Sequence, residues 1–213
     1  MAATFVTALC AGQYSVSVPE VTKILASRFV NVTKTWSNTA EGVVFTLRLP
    51  RIIGAVLVGS ALSLSGAAYQ GVFKNPLVAP DLLGVSSGAC VGASVAILLH
   101  LNSFGVQAMH CGGILAVTYL FIPRLIKNTN MTMLVLSGII VKGIMDSVMG
   151  IIKYVADPET ELQSITYWQL GSLTKVLPKD LFTVGPVIVA ASVIIFLLRW
   201  RINILSLGRQ RSK

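Results

Sequence analysis

Two oppositely charged residues within an apolar stretch are the first candidates for chemistry. Lys142 and Asp146 stand four residues apart near the middle of residues 131–155. On a helix this spacing places both side chains on one face, where they can form an ion pair. Charges at mid-depth in a membrane are costly, and they usually face the interior of a helix bundle or a water-filled cavity. The pair is therefore either a structural ion pair or one that also lines a solute path.

Patterns that could support catalysis are incomplete. Residues 84–88 read Gly-Val-Ser-Ser-Gly, which matches G-x-S-x-G, but that pattern needs a strand–turn–helix setting with His and acidic partners. Here it opens an apolar helix, and His100 and His110 are expected near outer helix ends. No cluster has metal-ligand spacing and no phosphate-binding loop is present. We expect no enzyme, metal or cofactor; an intramembrane hydrolase using Ser86 and His110 is the alternative.

The composition indicates a membrane protein. The chain has 213 residues, 54% hydrophobic and 12% charged, against about 25% charged in a soluble domain. Its net charge of +9 could indicate a nucleic-acid partner, but such proteins gather basic residues on a wet face. Here long stretches carry no charge, which is typical of membrane proteins with basic inner loops. A cytosolic enzyme and a nucleic-acid partner are excluded.

Five windows reach the roughly 20 apolar residues that a membrane span needs. The sequence therefore predicts an all-α, polytopic transmembrane helical bundle, with spans at residues 52–72, 82–101, 104–122, 131–155 and 181–198. Residues 1–12 are apolar but too short to cross, and we interpret them as the end of a further span. The three cysteines lie in apolar stretches and suggest no disulfide framework.

Loop charges and an amphipathic segment set the orientation. The basic residues of the short loops concentrate on the side of Lys74, which predicts a multi-pass protein of the cell membrane with a cytoplasmic C-terminus. Basic residues in 13–51 are an exception on the outer side. Within that outer segment, apolar residues recur at helical spacing, so a short helix lies on the membrane surface or packs on a partner: Val18, Val21, Leu25, Phe29 and Val32.

Small residues recur every four positions in two of the predicted spans. Such a row lets the backbones of two membrane helices approach closely. A row of this kind either serves helix packing alone or also permits the packed helices to move against each other. The first row is Ala55, Gly59, Ser63, Ala67 and Gly71, and the second is Gly84, Gly88, Gly92 and Ala96.

Several ordered motifs carry a resemblance to a known family. Arg-Leu-Pro-Arg at 48–51 precedes the first small-residue span, and Gln70-Gly-Val-Phe leads into Lys-Asn-Pro-Leu-Val-Ala-Pro-Asp at 74–81. Tyr-Trp-Gln-Leu-Gly-Ser-Leu follows at 167–173, and Asn-Ile-Leu-Ser-Leu-Gly at 203–208. In order and spacing they resemble the iron-siderophore and vitamin B12 permease family of ABC importers, over nearly the whole chain.

The resemblance implies a single permease domain over residues 1–213. Its parts would be an outer segment at 13–51, five spans within 52–198 and the start of a cytoplasmic coupling segment at 199–213. Permeases of this type are ten-span subunits that pair as dimers, bind two ATPase subunits inside and receive a solute-binding protein outside. Such a permease couples ATP-driven motion to alternating access and catalyses no bond change.

The resemblance also assigns roles to residues. Arg48 and Arg51 would receive acidic residues of the binding protein, with interfacial anchoring as the alternative. Gln70, Asn75, Pro76 and Pro80 would form a motif loop, and Asp81 would cap the next helix. Helix packing or the path would involve Gly59, Ser63, Ala67, Gly84, Gly88, Gly92, Lys142 and Asp146, and ATPase coupling would involve Leu205, Leu207 and Gly208.

The chain also departs from the family pattern. The first span is a stub, Arg209-Gln-Arg-Ser-Lys stands where a coupling helix is expected, and four later spans are absent. We therefore expect a permease truncated at both ends. The expected cargo is an iron-siderophore-type chelate; the alternatives are cobalamin, haem or a non-transporting fragment, in a homodimer or a heterodimer.

Overall fold

The computed structural model describes residues 2–121, 131–174 and 176–207, and all regular structure within them is helical. This confirms the all-α transmembrane architecture. The α-helices are α1 (Ala2–Cys10), α2 (Val18–Ala26), α3 (Asn38–Gly42), α4 (Leu49–Phe73), α5 (Val85–Leu98), α6 (Ser103–Leu115), α7 (Met131–Val155), α8 (Glu161–Leu170), α9 (Pro178–Leu197) and α10 (Arg199–Leu207). Two π-helical stretches, Val43–Arg48 and Ala116–Phe121, and a 3-10 turn, Pro80–Leu83, join some of them.

Three helical stretches of the described residues are long and apolar enough to cross a membrane. They are Asn38–Phe73, Met133–Val155 and Pro178–Leu197. The first of these begins well before the predicted residue 52, because Ser37 caps it by accepting a hydrogen bond from the Ala40 amide at 3.1 Å. The π-helical stretch Val43–Arg48 then leads directly into α4 at Leu49.

Two predicted spans have different forms in the structure. The window 82–101 was expected to be one span, but α5 has only 14 residues, since a 3-10 turn and a left-handed Gly84 precede it. The window 104–122 is helical from Ser103, but α6 gives way to the π-helical stretch after Leu115. A π-helical turn shifts the register of the faces along a helix, which the apolar pattern did not indicate.

The chain forms two compact units of packing. One comprises Met1–Leu64 with Leu173–Leu197, and the other comprises Ser65–Ser172 with Leu198–Lys213. The expectation of one permease domain over residues 1–213 stays a prediction.

The core of the first unit brings α1, α2 and the start of the long helix together. Leu9, Val21, Ile24 and Val44 are fully buried in it. The amphipathic helix α2 therefore packs on neighbouring helices of its own chain. The predicted stripe is wrong in part, because Val18 and the 90%-exposed Phe29 lie on the surface, and the buried Ile24 was not in it.

The core of the second unit lies among α5, α6, α7 and α8. Two clusters of buried side chains follow one face of α7, at Val141 and Met145 and then at Met149 and Ile152. The fully buried Ile165 brings α8 into the second cluster. Because this face of α7 packs on α5, the neighbouring Lys142 and Asp146 lie close to α5.

Candidate functional site

The motif loop after α4 is closed by its own side chains. The Gln70 amide nitrogen donates a hydrogen bond to the Pro76 carbonyl oxygen at 3.2 Å. The Asn75 side-chain oxygen accepts from the Leu77 backbone amide at 2.9 Å, which forms an Asx turn. Three residues of the family motif thus hold one compact turn at the end of a membrane helix.

Pro80 and Gly84 set the start of α5. Pro80 begins the 3-10 turn, and Gly84 adopts φ +72° at the helix N-cap position. A Cβ at Gly84 would lie 2.8 Å from the Lys142 backbone nitrogen, so the position requires glycine for both conformation and space. The prediction that Asp81 caps this helix is wrong, because the N-cap is Gly84 and no side-chain cap bond is formed.

The small-residue row of α5 forms a close helix crossing with α6. A Cβ at Gly92 would lie 2.0 Å from the Met109 carbonyl oxygen, and one at Gly88 would lie 2.3 Å from a Val117 methyl carbon. Gly113 completes the crossing from α6, where a Cβ would lie 2.0 Å from the Gly88 carbonyl oxygen. Gly113 could not be singled out from the sequence, because it belongs to no row of small residues.

The small-residue row of α4 is exposed along its whole length. Its members Ala55, Gly59, Ser63, Ala67 and Gly71 are all exposed. Within the described residues nothing lies within 4 Å of a Cβ placed on Gly59. The neighbouring Gly54 is buried instead, with Val176 and Leu181 as its nearest neighbours.

The predicted ion pair is present and has a third member. Lys142 Nζ lies 3.0 Å from Asp146 Oδ2, and Ser87 Oγ on α5 donates to Asp146 Oδ1 at 2.8 Å. The side chains of Lys142 and Asp146 are 31% and 52% exposed. Ser87 was missed because its contact joins residues 59 positions apart, which no local spacing reveals. Its only sequence signal is its place directly before Gly88.

Arg48 faces the protein interior. Its side chain is 9% exposed, and it donates to the carbonyl oxygens of Leu9 at 2.7 Å, Cys10 at 3.3 Å and Tyr14. These contacts hold the chain after α1 against the π-helical stretch. A docked carboxylate would need the same N–H groups, so the docking role of Arg48 stays a prediction that its contacts do not favour.

Arg51 lies next to a cavity. It lines an open cavity of about 460 Å³ together with Arg48, Gly12 and Tyr14. Its Nε atom is buried and has no hydrogen-bond partner among the described residues. Because this Nε is buried, it cannot meet a docked partner, and the docking role of Arg51 also stays a prediction.

The remaining predicted residues have less definite surroundings. Leu205 and Leu207 lie in the last turn of α10, and Gly208 lies outside the described residues. His110 packs against the Trp168 ring with centroids 5.4 Å apart, an aromatic contact of the kind common in helix packing. No group of three or more potential metal ligands occurs within the described ranges.

Comparisons with known proteins agree on one family. The family model described as the FecCD transport family matches residues 1–213. The molybdate import system permease MolB of Haemophilus influenzae is 35% identical over 99% of the chain and 62% of its own length. A probable iron chelatin transport system permease of Helicobacter pylori is 38% identical over 80% of the chain and 52% of its own length.

One solved structure is similar along the same span. It is described as an inward-facing conformation of a metal-chelate type ABC transporter, with a TM-score of 0.81 and 30% identity. The match covers 99% of this chain and 63% of that one. The chain therefore spans about half to two thirds of the length of these similar proteins.

Proposed function

Because the chain belongs to the FecCD transport family, we propose that it acts as a membrane permease subunit of an ATP-driven importer. The observation that carries the proposal is the family match over residues 1–213, on a chain that folds as apolar helices with a glycine-packed crossing. The permease would form the solute path and catalyse no reaction. It would lie in the cell membrane as a multi-pass protein with its C-terminus in the cytoplasm.

Its partners would meet it on opposite sides of the membrane. A separate ATP-binding subunit would contact the segment after α9, including Leu205, Leu207 and Gly208. A solute-binding protein would dock outside, where the terminal N–H groups of Arg51 would pair with a carboxylate of that protein. A second permease subunit, the same or different, would complete the dimer.

Two cargo classes have specific support. An iron-siderophore-type chelate is favoured by the iron chelatin name of the Helicobacter relative and by the metal-chelate type of the similar structure. Molybdate, an oxyanion, is the second candidate, because the relative of that name matches 99% of the chain. Cobalamin and haem remain further family cargoes, carried in all cases as solute and not as a resident cofactor.

Uptake by reconstituted vesicles tests the proposal. The chain would be assembled with its ATP-binding subunit and loaded binding protein, and uptake of radiolabelled ferric chelate, molybdate and cobalamin would be compared with and without ATP. ATP-dependent uptake of one cargo supports the permease function and selects the cargo. No uptake of any cargo, with all subunits bound, would favour a non-transporting fragment.

The docking role has its own test. Arg51→Glu should weaken co-purification with the binding protein. It replaces the N–H donors of the guanidinium with a carboxylate, which would repel the acidic residue of the binding protein. Lys23→Glu is the matched control, since Lys23 is an exposed cation of the same unit on α2. Equal loss in both variants would indicate a general charge effect and would remove the specific role of Arg51.

A further inference from the structure

Two arginine side chains share the cavity beside α1 without a negative partner. Arg48 is 9% exposed, and it donates to three backbone carbonyl oxygens, which are neutral groups. In the part of the chain that the structure describes, neither Arg48 nor Arg51 forms an ion pair. No acidic residue is among the described residues that line this cavity of about 460 Å³. Because a buried charge is costly without a counter-charge, the cavity suits an anionic group.

The position of this cavity along α4 matches the level of lipid phosphates. The stretch from Arg51 to the end of α4 at Phe73 is about 33 Å long, at a rise of 1.5 Å per residue. The hydrocarbon core of a membrane is about 30 Å thick, so Arg51 lies at one edge of that core when Phe73 lies at the other. The rest of the cavity wall is largely apolar, with Val43, Leu47 and Ile52 among its residues.

A second cavity follows along α4 from Arg51 and is apolar. It is a crevice of about 160 Å³ between α4 and α9, and it lies in the same unit of packing as the first cavity. Val58 lines it seven residues after Arg51, so the two stand two helical turns apart on the same side of α4. Both helices belong to stretches long and apolar enough to span a membrane. The molecules that surround such a crevice in a membrane are acyl chains. Its walls include Gly54, Leu57 and Val58 of α4 and Leu181, Val184 and Ile188 of α9.

We propose that the two cavities together bind one anionic phospholipid, with its phosphate at Arg51 and an acyl chain in the crevice between α4 and α9. Arg51 would meet the phosphate through its terminal N–H groups, since its Nε is buried, and Arg48 would add positive charge from behind. Two cations without a carboxylate favour an anionic headgroup over a zwitterionic one. Asp180, an acidic residue of the crevice, accepts a hydrogen bond from the Leu177 amide at 2.9 Å and thereby holds the start of α9.

The lipid site goes beyond the proposed function and does not depend on it. A guanidinium has two terminal nitrogens, so a lipid phosphate on one leaves the other for a docked carboxylate. Lipid binding also needs no ATP-binding subunit, binding protein or cargo. A chain that transports nothing can therefore still bind the lipid, and an active importer can lack the lipid site.

Native mass spectrometry of the delipidated 213-residue chain tests the headgroup. The protein in a neutral detergent would be titrated with dioleoyl phosphatidylglycerol, which is anionic, and with dioleoyl phosphatidylcholine, which has the same chains and no net charge. We expect the first phosphatidylglycerol to bind about tenfold more tightly or better, because its headgroup alone carries a net charge opposite to the arginines. Equal binding of the two lipids would overturn the site and leave the cavity to a carboxylate of a docked protein.

Soluble phosphates separate the headgroup from the chain. Inorganic phosphate and dihexanoyl phosphatidylglycerol carry the anion without a long acyl chain, and each should bind about tenfold more weakly or worse than the dioleoyl lipid, because neither fills the crevice. Inorganic phosphate that binds as tightly as the dioleoyl lipid would show a site for free anions and would overturn the lipid. These comparisons use the wild-type chain, so they decide the proposal even where a variant fails to fold.

Variants at the headgroup cavity locate the phosphate. Arg51→Gln should weaken phosphatidylglycerol binding about fivefold or more, since it removes the cation that meets the phosphate. Arg51→Lys keeps the charge and should retain most of the preference for phosphatidylglycerol. Lys23→Gln is the matched control, because Lys23 is an exposed cation of the same unit on α2. An equal loss in Lys23→Gln and Arg51→Gln would show a general attraction of charge and would overturn the site.

Variants at the crevice locate the acyl chain. Gly54→Leu would fill the space between α4 and α9 and should weaken binding of the dioleoyl lipid about threefold or more. Gly59→Leu is its control on the same helix, where a Cβ would meet no described atom of another element within 4 Å. Unchanged binding in a folded Gly54→Leu variant would overturn the placement of the chain in this crevice.

Discussion

The small-residue rows of α4 and α5 have the same four-residue spacing and opposite surroundings. On α5, Gly88 and Gly92 face α6 so closely that neither position has room for a Cβ. On α4, every member of the row is exposed, and a Cβ placed on Gly59 would meet no described atom of another element within 4 Å. The spacing therefore makes a surface that permits close approach, but it does not identify the helix that approaches.

Gly92→Leu should separate the two rows most strongly. The new side chain would meet the Met109 carbonyl oxygen, a backbone atom that cannot move aside, and the expected loss is about 3 kcal/mol or more. Gly59→Leu is the matched control on α4 and should not lower the stability, because the position is open and leucine is a better helix former than glycine. Thermal unfolding of both variants in detergent measures the difference. Similar melting temperatures would remove the distinction between the rows.

Gly84→Ala tests the first position of the packed row. The left-handed backbone and the Lys142 nitrogen both oppose a Cβ, so we expect a loss of about 2 kcal/mol. Gly143→Ala is its control, because Gly143 is an open position within α7 and alanine is favoured in a helix by about 0.5–1 kcal/mol. Denaturant unfolding should give changes of opposite sign. A stabilised Gly84→Ala variant would contradict the close contact with α7.

The ion pair beside the packed row gives a smaller effect. Lys142→Met should cost about 1 kcal/mol, since it leaves Asp146 with only the Ser87 hydroxyl. Lys142→Met with Asp146→Leu should cost less, because no unpaired charge remains. A double-mutant cycle by thermal unfolding reports this coupling. Additive changes would show that the pair contributes no mutual stabilisation.

Gly59→Ala has the smallest expected effect and tests whether the α4 row is free of contacts. Alanine should raise the stability of the isolated chain by about 0.5–1 kcal/mol, because it is the better helix former and nothing opposes it. Gly42→Ala serves as a second open position for calibration. Equal unfolding temperatures of the wild type and the variant would mean that another protein surface packs on the α4 row in solution and offsets the gain in helix propensity.

The fold and the ion pair could be predicted because their signals are local. Apolar length identifies membrane helices, and the spacing of Lys142 and Asp146 fixes a shared face. The length of α5 could not be predicted from hydrophobicity, because the 3-10 turn Pro80–Leu83 and the left-handed Gly84 occupy the start of the apolar window 82–101. The same turn displaced the expected cap at Asp81.

The interior position of Arg48 needed the tertiary structure. Its place at the start of an apolar helix suggested an outward-facing cation, but the carbonyl groups that bind it come from residues more than 30 positions earlier. Ser87 and Gly113 were missed for the same reason, since each gains its role from a partner on another helix. The spacing of residues predicts which side chains share a face of one helix, but not which other helix that face contacts.

The glycine crossing of α5 and α6 also involves hydrogens bound to carbon. At Gly92 and Gly113, the direction in which a Cβ would project leads straight to a carbonyl oxygen of the other helix. In glycine that direction holds a second α-hydrogen, so each site places a Cα–H donor against a backbone acceptor. Contacts of this kind are worth about 0.5–1 kcal/mol each, and the surrounding hydrocarbon offers no competing water. Because glycine has no side chain, its α-hydrogen can form a weak hydrogen bond between the two helices.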